Sequence, residues 1–132
     1  MIYLASPYSH HDAHVRLYRF EEACRAAAAL LKAGLVVFSP IAHSHPIAKY
    51  GMPTSWDFWS QVDREYLARC DVLAVLTLAG WRDSVGVQAE MVMARELLLP
   101  VVFVAPAELD ANTSPAWDEL KRSSRQVTQE CP

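Results

Sequence analysis

Five consecutive apolar residues, Val72-Leu73-Ala74-Val75-Leu76, run straight into a polar turn and then a helical pattern, and they constrain the fold more than any other stretch. A run without polar alternation suits a strand covered on both faces, as in a parallel sheet with helices above and below. Leu78-Ala79-Gly80-Trp81-Arg82-Asp83-Ser84-Val85-Gly86 then forms a loop rich in helix-start signals. Asp83 or Ser84 can cap the next helix, and Gly86 lets the backbone approach a ligand closely. Val87, Met91, Ala94 and Leu98 recur at helical spacing, with Glu90 at the border of their stripe. A carboxylate beside a helix mouth whose free N–H groups attract anions suits chemistry on a phosphorylated ligand. An ordinary surface glutamate near a helix start is the plainer alternative.

The rest of the chain alternates strand and helix. Residues 2–5 read as a short buried strand, broken by Ser6-Pro7-Tyr8-Ser9. Residues 13–33 read as a helix with Phe20, Ala23, Cys24, Ala27, Leu30 and Leu31 on its inner face, stopped at Gly34. Residues 35–38 form a second strand. Residues 41–56, with Pro46, Gly51 and Pro53, predict a long irregular connection of the kind that serves as a lid or binding loop. Ser55 or Asp57 can cap a helix that runs to about residue 70, with Phe58, Val62, Tyr66 and Leu67 inward. Residues 101–104 make a fourth strand, and Asn112-Thr113-Ser114-Pro115 starts a last helix over residues 116–125.

This alternation predicts one α/β domain: a three-layer α/β/α, Rossmann-like fold with a parallel sheet of four or five strands in the order 2-1-3-4. Ligands bind such sheets outside the carboxyl ends of the strands. That rule brings Ser6-Pro7-Tyr8, Ser39-Pro40-Ile41 and residues 77–86 to one edge.

Composition narrows the function classes. With 132 residues, 52% of them hydrophobic and 20% charged, the chain suits one globular domain and not a disordered segment. A net charge of −3 argues against a nucleic-acid polymer as partner. No apolar run approaches the roughly 18 residues of a membrane span, and the N-terminus lacks a basic, apolar leader, so the expected address is the cytoplasm. Cys24, Cys70 and Cys131 are widely spaced, with the first two at expected buried helical positions, which disfavours disulfides and a cysteine metal site.

Three carboxylates can gather at the predicted edge: Asp63, Asp83 and Glu90. Two carboxylates facing a glycosidic bond supply what its cleavage needs, a nucleophile or charge stabiliser and a proton donor. A solvated helix residue is the alternative for Asp63, and a simple helix cap for Asp83. His43 and His45 can ligate a metal from an extended segment, with His10, His11 and His14 in another loop, and a metal-dependent hydrolase is the weakest of the functional readings. Loop hydrogen bonds or base contacts are the duller account of these histidines. Trp56, Phe58, Trp59 and Tyr66 can stack on a nucleobase or cover a subunit contact.

Short motifs add a resemblance. Ile2-Tyr3-Leu4-Ala5-Ser6-Pro7-Tyr8 resembles the opening strand and loop of the nucleoside 2-deoxyribosyltransferase-like superfamily. Asp63-x-x-x-Leu67-x-x-Cys70-Asp71 resembles its aspartate ahead of a hydrophobic strand. Ser84-Val85-Gly86-Val87-Gln88-Ala89-Glu90 is similar to the SxGxxxE signature of its nucleoside 5'-monophosphate N-glycosidase branch. Gly80-Trp81-Arg82-Asp83-Ser84, with Ser9-His10 and Ser44-His45-Pro46, looks most like the small DUF1937 and DUF4406 type group within that superfamily.

The resemblance covers residues 2 to about 104. It implies a nucleoside or nucleotide as small-molecule partner, no organic cofactor, and a homo-oligomer, dimer or tetramer. By matching position, Glu90 is the nucleophile at the sugar C1', Asp63 serves proton transfer, and Tyr3 positions the glutamate. Ser6, with Pro7 and Tyr8 beside it, and Ser84 with the Gly86 backbone lie where sugar or 5'-phosphate is held. Asp83 resembles an aspartate of the transferases' DxG pattern, with one extra residue before the glycine, and Met91 and Val92 depart from the usual residues after the glutamate. A non-catalytic nucleotide-binding or sensing module of the same fold is the competing reading.

Overall fold

The computed structural model describes residues 1–53, 55–111 and 114–124. Strand β3 (Val72–Leu76) is buried along its whole length, as its unbroken apolar run predicts. It pairs in parallel with β1 (Ile2–Ala5) on one side and β4 (Val101–Val104) on the other. Strand β2 (Val37–Phe38) pairs in parallel with β1, which completes the order β2-β1-β3-β4.

That order explains the layers. The crossover from β1 to β2 runs one way along the sheet, and those from β2 to β3 and from β3 to β4 run the other way. Right-handed crossovers therefore put α1 (Ala13–Lys32) on one face, and α3 (Trp56–Leu67) with α4 (Val85–Glu96) on the opposite face. Helices α5 (Pro106–Ala111) and α6 (Pro115–Ser123) follow β4 and return to the α1 face. Ile2, Leu4, Val72, Ala74, Leu76, Val102 and Val104 point to that face, and Tyr3, Ala5, Leu73 and Val75 to the α3/α4 face. The direction of strand order switches between β1 and β3, so the crevice of such a sheet opens there.

Several expectations need correction. Residues 40–48 are helical: α2 (Pro40–Ala48) replaces the first half of the expected irregular connection. Ser39 Oγ accepts the Ala42 N–H at 3.2 Å, and Pro40 at the first turn loses no hydrogen bond that a helix start would make. Pro46 sits far enough along this short helix to remove only one internal bond.

On α1 the sheet-facing residues are Ala23, Ala26 and Leu30, and Leu31 is 56% exposed. On α3 the buried residues are Asp63 and Leu67, and Phe58 lies outside at 37% exposure. Helix α4 ends at Glu96, and Leu98 follows in the left-handed region (φ 58°), a conformation more at home in glycine. Cys24 is half-buried and Cys70 buried, both as free thiols, and Cys131 lies outside the described residues. Among the described residues no helix is long and apolar enough to cross a membrane.

Candidate active site

Tyr3 stands in the middle of β1 with its ring turned toward α3 and α4, because alternation along the strand sends Ile2 and Leu4 to the other face. Above it, Asp63 projects from α3 and Glu90 from α4. Both carboxyls lie on the sheet-facing sides of their helices, at 7% and 4% exposure. The solvated alternatives for these two residues are thereby excluded. The Tyr3 hydroxyl donates a hydrogen bond to Glu90 Oε2, and the Asp63 carboxyl lies near enough for its charge to act on both groups. Residues 3, 63 and 90 thus form one buried cluster beside the β1/β3 switch.

Burial sets the electrostatics. It pushes the Glu90 carboxyl up to about 8; the Tyr3 hydrogen bond works against that rise and the Asp63 charge adds to it. Burial likewise lifts Asp63 to about 6, again opposed by Tyr3. Tyr3 itself is raised well above the ordinary phenol value, first by burial and then by the Glu90 charge. Two carboxyls held at different protonation tendencies in one apolar site can divide the roles of nucleophile and acid.

Ser6, directly after β1, is 4% exposed, and its Oγ has no hydrogen-bond partner. Pro7 is buried beside it, and the Tyr8 hydroxyl reaches His45 Nδ1 at 2.6 Å. Ser84 is the cap of α4: its Oγ accepts the Val87 N–H at 3.2 Å, so Ser84 and not Asp83 fills that role. Gly86 lies in the first turn of α4, and a Cβ placed there would only touch the Trp56 ring at 3.7 Å. Trp56 is two turns before Asp63 on α3, and Gly86 is one turn before Glu90 on α4. The indole therefore packs beside the first turn of α4, one turn ahead of Glu90.

Asp83 is set apart. It belongs to a short 3-10 turn (Trp81–Asp83) and lines an open cavity of about 740 Å³ with Thr77, Gly80, Trp81, Arg82 and Phe103, beside the edge strand β4. Neither Glu90 nor Asp63 lines that cavity.

The histidines do not form a chelating pair. Two residues apart on helix α2, they face different ways: His43 approaches Phe38 and Tyr66 with ring centres 5.6 and 5.9 Å away, whereas His45 stacks on Phe20 at 4.2 Å. Among the described residues no group of three or more His, Cys, Asp or Glu side chains is placed to hold a metal ion. The aromatic cluster divides too, with Tyr66 stacked on Phe38 at 3.9 Å and Phe58 edge-on to Trp59 at 5.2 Å.

One contributor has no signature in the sequence. Arg19 of α1 donates to Ser9 O at 2.9 Å and to Ala79 O at 3.4 Å, and so ties the loop after β1 to the loop after β3. Gly80 is bound to this contact: its φ is +92°, and a Cβ there would lie 2.7 Å from Arg19 Nη2. Sixty residues separate Arg19 from Ala79, so no local pattern announces the pair.

No curated protein matches the chain. A family described as a domain of unknown function, DUF1937, matches residues 1–106, a span that includes β1 through β4 and every residue of the trio. The chain belongs to the DUF1937 family.

Proposed function

We propose that the protein cleaves or transfers the N-glycosidic bond of a nucleoside or nucleotide, with Glu90 as nucleophile at C1' and Asp63 as proton donor. The observation that carries this reading is the meeting of Tyr3, Asp63 and Glu90 in one buried cluster at the switch in strand order. The Glu90 carboxylate attacks C1' as the C1'–N bond breaks, and Asp63 protonates the departing base nitrogen. Asp63, now ionised, takes a proton from water or from a second base, and the oxygen or nitrogen so activated displaces Glu90 from C1'. The resemblance to nucleoside 2-deoxyribosyltransferase-like enzymes supports the same roles.

Ser6 Oγ, buried without a partner, is suited to a sugar hydroxyl or phosphate oxygen. The first N–H groups of α4 favour an anionic group beside Ser84 and Gly86. With Glu90 and Asp63 4% and 7% exposed, the arrangement is a closed one, and the elements around it must part to admit a sugar. The reading places the protein in the cytoplasm as a homo-oligomer. The outward faces of α3 and α4 would then form the contact, since Phe58, Val85 and Val92 remain 37%, 69% and 49% exposed there.

The test is base release from a panel of nucleosides and 5'-monophosphates, followed by chromatography, with Glu90→Ala beside the wild type. Release by the wild type and a loss of about 10³-fold or more in the variant is the expected result, as for removal of a covalent nucleophile. No release from any substrate, with a nucleotide still raising the melting temperature, would replace this reading with a binding module.

A further inference from the structure

None of the trio lines the open cavity beside β4. That cavity lies beyond the carboxyl end of β3, at Thr77, whose N–H donates to Val104 O at 3.0 Å, on the edge of the sheet where α/β folds take ligands. Its volume of about 740 Å³ is that of a small-molecule site. Phe103 and Trp81 form one wall, with ring centres 5.3 Å apart and Phe103 45% exposed. The Arg82 guanidinium lies 5.2 Å from the centre of the Trp81 ring. The turn carrying these groups is pinned: Ala79 O accepts from Arg19, Arg82 O accepts from Gln88 Nε2 at 3.0 Å, and Gly80 holds a φ of +92°. A turn fixed in advance loses little freedom when it binds a ligand. The groups it presents are nevertheless unused. Among the described residues the Ala79 and Gly80 N–H groups have no acceptor, Arg19 and Arg82 enter no ion pair, and the Asp83 carboxyl has neither a donor nor a cation. In a chain of net charge −3, two guanidiniums without carboxylates at one turn mark a place for an anion.

We propose that this cavity is a second ligand site, separate from the trio, for a flat heteroaromatic ring that carries a phosphate, as in a mononucleotide. The phosphate lies at the Ala79 and Gly80 N–H groups, where Arg19 and Arg82 supply positive charge. The ring packs on the exposed part of Phe103, and Asp83 accepts from an N–H edge of the base. Each part of the cavity calls for a different part of that ligand. Inorganic phosphate would leave the aromatic wall and Asp83 without a partner, and a nucleoside would leave both guanidiniums unmatched. Arg19 spends two of its donors on Ser9 O and Ala79 O, and the others remain for an anion. No step of the glycosidase reading enters this inference.

Fluorine NMR locates the ligand directly. Protein carrying 5-fluorotryptophan gives one resonance for each of its four tryptophans, and Trp81→Phe identifies that of Trp81. Glu90→Gln protein, in which no turnover intervenes, is titrated with adenosine, guanosine, cytidine and uridine 5'-monophosphates. At least one of them should move the Trp81 resonance in a saturable way. The same titration in Glu90→Gln with Arg82→Ala should show an affinity lower by about ten- to a hundredfold, the usual cost of losing a charge-assisted contact. Arg82→Lys, which keeps the charge and not the fork, should recover part of the loss. The matching nucleoside and inorganic phosphate should each bind at least about tenfold more weakly than the nucleotide. A Trp81 resonance unmoved by all four nucleotides at millimolar concentration would overturn the site, as would a shift confined to the Trp56 resonance. Equal affinity for inorganic phosphate, or an affinity indifferent to Arg82→Ala, would overturn the nucleotide assignment.

Discussion

Glu90→Gln is expected to be more stable than the wild type above pH 8 and to have no advantage at pH 4. The sign follows from where the proton binds. An exposed glutamate in the unfolded chain titrates near 4.5, whereas burial holds the folded Glu90 carboxyl near 8. Between those values the folded protein keeps a proton that the unfolded chain has lost, so stability falls as pH rises. The contribution is complete below pH 4.5 and gone above pH 8. At about 1.4 kcal/mol per pH unit across that window, the ceiling is on the order of 5 kcal/mol. Asp63 adds a smaller decline of the same sign between its usual 3.8 and about 6. Glutamine has nearly the same shape and no proton to lose, so urea unfolding of Glu90→Gln should show a much flatter pH dependence than the wild type. A wild-type stability that is level or rising from pH 5 to 8 would contradict the burial of this carboxyl. In the proposed mechanism the same substitution removes the nucleophile, so it would exchange activity for stability at alkaline pH.

The second large effect lies on the opposite face of the sheet. Trp117→Ala is expected to cost about 3–5 kcal/mol, the usual range for deleting a large buried aromatic. Trp117 is 1% exposed among Leu30, Leu109, Val104 and Leu120, and its indole N–H donates to Glu108 O at 2.7 Å. Its loss therefore opens a cavity and leaves a carbonyl without its donor. Because a domain of this size is commonly stable by only about 5–15 kcal/mol, the variant should sit near its unfolding threshold at moderate temperature. Denaturant midpoints measure the change. A loss below about 1 kcal/mol would mean that α6 is not part of the core. Trp117 lies beyond residue 106, where the family match ends, yet it closes the layer over β4. Since it faces away from Tyr3, its removal should leave the pH dependence of stability intact, which separates the two predictions.

Much of this architecture was legible because it depends on local patterns. The apolar run at residues 72–76 reads as a strand covered on both faces and that at 101–104 as a further strand, which takes the edge with Phe103 45% exposed, and the alternating helices left parallel pairing in the order 2-1-3-4 as the natural solution. Helix α2 was obscured by Pro46 and by three histidine and serine residues with no clear stripe. Its start signal, Ser39-Pro40, reads equally well as the end of a strand. The burial of Asp63 and Glu90 was not visible either, for a different reason. On each helix the carboxylate falls where period alone assigns a border or a polar face. Its place in the interior depends on Tyr3, which is 60 and 87 residues away and supplies the hydroxyl that makes burial tolerable. Asp83, expected to gather with Asp63 and Glu90, lies on the 3-10 turn and lines the cavity beside β4, a placement set by the turn's backbone and not by any pattern of side chains.

The central claim is that Glu90 forms a bond to the sugar, and trapping that bond tests it most directly. A 2'-fluoro analogue of whichever nucleoside or nucleotide releases base slows both formation and breakdown of a glycosyl ester, and a good leaving base lets the ester accumulate. Intact-mass measurement followed by peptide mapping should then find one fluorinated glycosyl group on Glu90, and none on Glu90→Gln. Turnover of the parent substrate with no adduct, or an adduct carried by Asp63, would contradict the account.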